Sequence, residues 1–128
     1  MTSAGLTYSM NLMAGWTGFL GGALSGVVIG LFFHREKWLG GYDSFPRRMV
    51  RLGHIAFFGL GLINILFALS APTESRLTDW SSILLAIGLA TMSLTCFATA
   101  WKRGFRHLFF VPAGSTTLGI LALLLHLA

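Results

Sequence analysis

The feature that most restricts this chain is a close succession of four apolar segments: Asn11 to Phe33, Leu52 to Ala71, Trp80 to Trp101 and Leu108 to Ala128. Each is long enough for a helix rising about 1.5 Å per residue to cross a hydrocarbon core roughly 30 Å thick. Together they take up most of the 128 residues, and the longest connection, residues 34–51, is too short to fold alone. With 55% hydrophobic and 10% charged residues, the composition lies far from that of a soluble domain with a single core. The expected fold is therefore all-α, a polytopic membrane protein. Its single transmembrane domain is a four-helix bundle running up-down-up-down with short connections.

The net charge of +5 does not point to nucleic acid, because of where the cations sit. Arg35, Lys37, Arg47, Arg48 and Arg51 lie between the first two spans, and Lys102, Arg103 and Arg106 between the last two; the middle connection has only Arg76. This alternation is the positive-inside pattern. It predicts cytoplasmic loops at 34–51 and 102–107, with the N-terminus, the Pro72 to Asp79 loop and the C-terminus outside. The expected location is a bacterial inner membrane. The first eleven residues carry no basic cluster of the kind that precedes a cleavable signal, so the first span is expected to be retained. Cys96 is the single cysteine and excludes an intramolecular disulfide.

Within the spans, small and polar residues mark helix packing. Gly18, Gly22, Gly26 and Gly30 recur at intervals of four on one face of the first span, with Gly15 and Gly21 beside them. That spacing makes a smooth groove that another backbone can approach closely. The partner is either another span of this chain, a copy of it, or a different subunit. In the second span His54, Gly61, Asn64 and Ala68 share a broad face, and Asn64 is expected to bond another helix, with a threonine of the third span as the simplest partner. Thr78 or Asp79 is expected to cap the third helix. Gly88, Thr91, Thr95 and Thr99 form a small and hydroxylated stripe along it. Pro112, early in the fourth span, is expected to kink that helix.

Three histidines, His34, His54 and His107, fall toward the basic side, whereas His126 stands alone at the other. Two imidazoles from different helices are the usual axial pair of a b-type haem. His54 with His107, or with His34 as substitute, is therefore the candidate haem or quinone site. The aromatic and basic residues of the first connection read as membrane-surface anchors, with Arg47, Arg48 and Arg51 as a weaker candidate phosphate site. No Asp or Glu occurs within any span, which argues against a proton-coupled or cation-coupled transporter. No nucleophilic set, phosphate loop or zinc-spaced cysteine pair is present.

These features predict a small accessory or anchor subunit of a larger membrane complex, electron-transferring or energy-converting, and not catalytic by itself. Two alternatives are a redox protein holding haem b between His54 and His107, and a homo-oligomeric channel or permease for a small neutral solute, lined by the threonine stripe. The expected partners are the lipid bilayer and other membrane subunits or copies of the chain.

Overall fold

The computed structural model describes residues 3–70 and 74–128, and these form four long helices. They are α1 (Ser3–Phe33), α2 (Phe45–Ser70), α3 (Arg76–Trp101) and α4 (Phe110–Leu127). Two 3-10 segments, Trp38–Gly40 and Arg103–Phe109, occupy the connections at the basic end, and no strand occurs among the described residues. Pro72, in the other connection, lies outside them. All four helices are long and apolar enough to cross a membrane. The chain is an all-α four-helix bundle, and its apolar helices mark it as an integral membrane protein.

The first three helices begin earlier than the apolar runs suggest, whereas α4 begins two residues after Leu108. α2 starts at Phe45, seven residues before Leu52. Pro46 falls in its first turn, where a missing N–H costs nothing, and the Ser44 hydroxyl accepts from the Arg47 N–H at 3.3 Å. α3 starts at Arg76, with Ser75 as its cap. The Ser75 Oγ accepts from the Thr78 N–H at 3.2 Å, and the Thr78 hydroxyl accepts from the Ser75 N–H at 2.9 Å. Thr78 is therefore the reciprocal partner in a capping box instead of the cap itself, and Asp79 lies inside the first turn.

The bundle is open. α1 packs along α2, α2 along α3, and α3 along α4, with a lighter contact between α1 and α3. The two middle helices supply the interior, and the outer two present most of their surface to the surroundings. In the most apolar stretches of α1 and α4 only 11% and 17% of residues are buried, against 33% and 39% in α2 and α3. The small fully apolar core, Phe67 with Leu85, is flanked by Tyr8, Ile63 and Leu123.

Two tryptophans on α3 set its place in a bilayer. Trp80 and Trp101 are both exposed, at 59% and 92%. The helix between them rises about 30 Å, one hydrocarbon thickness, which is the separation of the two interfaces where an indole's apolar ring and its N–H are both satisfied.

Candidate functional site

Polar side chains gather at three places in this bundle. The first is at the end that carries both chain termini. Asn11 of α1 is wholly buried, as is Asn64 of α2. The Asn11 amide donates to Asn64 Oδ1 at 2.7 Å and to the Ser82 carbonyl at 3.1 Å, while the Ser82 hydroxyl donates to Asn11 Oδ1. Asn64 in turn donates to the Leu60 carbonyl of its own helix and to the Leu85 carbonyl of α3, at 2.9 and 3.1 Å. Asn64 thus does bridge to α3, through backbone instead of the threonine anticipated from the sequence.

A second set continues the network to α4. The Ser81 hydroxyl donates to the Gly119 carbonyl at 2.6 Å, and Ser115 donates to the Leu84 carbonyl at 2.5 Å. His126 does not stand alone, because its Nδ1 lies 3.0 Å from the Ser75 hydroxyl at the start of α3. All four helices are therefore tied together by polar side chains. Asn11, Ser81 and Ser82 gave little signal in sequence because they border apolar runs. Asn11 nevertheless falls on the glycine face of α1, four residues before Gly15 and seven before Gly18.

The second place is the α1–α2 contact. A Cβ built on Gly61 would lie 2.9 Å from the Gly15 carbonyl, and one on Gly18 would lie 3.1 Å from the Phe57 carbonyl and from Leu89. One on Gly22 would sit 2.6 Å from the Phe58 ring, and one on Gly26 2.8 Å from the His54 imidazole. Gly30 has nothing near it. The glycine groove therefore receives α2 of the same chain along most of its length. His54 fills the notch at Gly26, with its Nδ1 3.0 Å from Ser25 Oγ and its ring edge-on to Phe58.

The structure does not bring His54 and His107 together. His54 faces α1, about half a helical turn away from the α2 face that carries Leu52, Ala56, Gly59 and Ile63 toward α4. His107 is exposed in the 3-10 segment, in a shallow depression with Lys102, Gly104, Phe105 and Leu108. His34 is exposed just past α1. Among the described residues no group of three or more His, Cys, Asp or Glu is placed to hold a metal ion. On α3, Thr91 donates to its own Ile87 carbonyl at 2.7 Å, and Thr95 and Thr99 are buried within the chain, at 7% and 0% exposed. A threonine buried in its own protomer cannot line a pore between protomers.

The third place is the basic end, and it is built differently from a row of anchors. Leu39, Gly40 and Gly41 all have positive φ, at 53°, 89° and 102°, a sharp reversal that glycine accepts at two of the three positions. Ser44 Oγ holds the turn by donating to the Leu39 carbonyl at 2.6 Å. The reversal folds Trp38 and Tyr42 back over the end of α1, and Arg47 enters between them.

Arg47 is only 3% exposed. Its guanidinium donates to the Phe33 carbonyl at 2.7 Å and more weakly to the Glu36 backbone carbonyl at 3.4 Å. It lies 5.1, 5.5 and 5.7 Å from the ring centres of Phe33, Trp38 and Tyr42. No carboxylate compensates this charge. The negative end of α1, its free carbonyls and the three π faces do so instead. Arg51 stacks 4.3 Å from the Tyr42 centroid and Arg103 4.7 Å from that of Phe45. Of the three arginines at the start of α2, only Arg48 is left exposed. The aromatic residues set four or five apart before these arginines were the available sign of such a cradle.

No family model, curated protein or solved structure matches the chain. The functional reading therefore rests on the three polar sites themselves. Two of them join helices, and the third closes a loop on a helix end.

Proposed function

We propose that the chain is a non-catalytic accessory or anchoring subunit of a larger membrane complex. The observation that carries this reading is how its buried polar groups are used. Asn11, Asn64, Ser81, Ser82 and Ser115 bond other helices, and Arg47 caps one. None of these groups converges on a cavity where a substrate would meet acid, base or nucleophile. The broad apolar flanks of α1 and α4 are the surfaces on which such a subunit meets lipid and neighbouring subunits.

The competing proposal, a haem held by His54 and His107, requires α2 and the 3-10 segment before α4 to present these imidazoles to one another and His54 to leave the Gly26 notch. Purification from the source membrane in mild detergent, followed by an absorption spectrum, separates the two. The expected result is a colourless protein that co-purifies in fixed ratio with the same membrane proteins. A Soret band that disappears in His54→Ala would replace this reading with the haem protein.

A further inference from the structure

Because α2 and α4 both lean on α3 and not on one another, a groove is left between them. Leu52, Gly59 and Ile63 of α2, Met92 of α3, and Phe109 and Ala113 at the start of α4 line it. Its volume is about 510 Å³, within the range of roughly 300–1,000 Å³ typical of small-ligand sites. Leu52 and Ile63 are separated by about 16 Å along the helix, the depth of one leaflet. Apolar over the depth of one leaflet and open along its side, the groove suits a lipid acyl chain.

Its electrostatics are one-sided. Arg48, exposed, stands one turn before Leu52 on the same face of α2, and Lys102, Arg103 and Arg106 precede Phe109 on the opposite wall. Neither residues 45–70 nor residues 102–128 contain an Asp or Glu. The apolar trough therefore opens at headgroup level onto cations, and neither of its two walls carries a carboxylate.

We propose that this groove is a resident site for one anionic phospholipid. An acyl chain lies from Leu52 toward Ile63, and the phosphate is met by Arg48 and the cations before Phe109. Gly59 makes the site testable, because a Cβ built there meets nothing within 4 Å and a larger side chain enters the groove without displacing protein.

The experiment is native mass spectrometry of the detergent-purified full chain, offered phosphatidylglycerol and phosphatidylcholine of identical acyl chains. Wild type is expected to retain one phosphatidylglycerol in preference to phosphatidylcholine. Gly59→Leu, or Ala113→Leu from the opposite wall, is expected to lower retention at least tenfold at an unchanged thermal midpoint. Arg48→Gln is expected to keep lipid bound but narrow the preference about fivefold, the effect of one cation near an anionic surface. Equal retention of the two lipids by wild type would overturn the proposal. So would undiminished lipid on both groove-filling variants, or a lipid-free dimer that Gly59→Leu dissociates.

Discussion

Asn11 and Asn64 show what single polar residues do in this bundle. An amide facing hydrocarbon is costly, and here each amide is met by the other helix and by a carbonyl of α3. Replacing Asn64 with Leu, close in size, removes those bonds and orphans part of Asn11. The expected loss is about 1–2 kcal/mol of stability. Asn11→Leu should cost about as much, and the double variant less than the sum, as a double-mutant cycle of unfolding in detergent would show. Arg47 and Arg48 offer a contrast between chain neighbours. Arg47→Met should destabilise by about 2 kcal/mol through the lost charge-assisted bonds to the end of α1, with Arg47→Lys restoring little of it because lysine lacks the planar fork. Arg48→Met should leave the unfolding midpoint of the lipid-stripped protein unchanged, since Arg48 is exposed. Sequence singled out Asn64 because it interrupts an apolar run, but treated the adjacent arginines alike. A helix start puts successive residues 100° apart, and which one faces inward depends on where α1 ends, a fact of tertiary structure.

At the scale of elements, the α1–α2 contact is set by missing side chains. Gly22 packs under Phe58, so Gly22→Leu should separate the helices and cost about 1–3 kcal/mol, the usual penalty of overpacking. Gly30→Leu, four residues on with nothing near it, should be neutral in the same thermal assay. The repeat of glycines was plain in the sequence, but its end was not, because the spacing runs on to Gly30 while the packing against α2 stops at Gly26. Helix starts were also hidden. Hydrophobicity marks where lipid begins, whereas Ser44 and Ser75 mark where hydrogen bonding begins, and the two differ by seven residues in α2. The Arg47 cradle depended on the reversal at Leu39 to Gly41, whose three positive φ values are visible only once the chain is folded.

For the whole molecule, apolar length alone dictated four helices, and each connection is short enough to keep successive helices antiparallel neighbours. The open order, with α2 and α3 in the middle, was not legible, since a closed square would satisfy the same periodicity. The contact that departs from a closed square is the diagonal one, where Asn11 of α1 bonds Ser82 of α3 while Ser81 and Ser115 hold α4 to α3. Charge then orients the assembly. Eight of nine Lys and Arg residues lie at one end, opposed there by Glu36 and Asp43 alone, so that end is expected to face the cytoplasm.

That threading, on which the functional reading also depends, is open to a direct measurement. In a background of Cys96→Ala, single cysteines at Lys37, Lys102, Arg76 and Ala128 can be exposed to a membrane-impermeant maleimide on intact cells. The expected result is labelling at 76 and 128 only, with 37 and 102 reacting after the cells are opened. Labelling of 37 or 102 from outside, or of 76 and 128 on opposite sides, would contradict four crossings with the basic end inside.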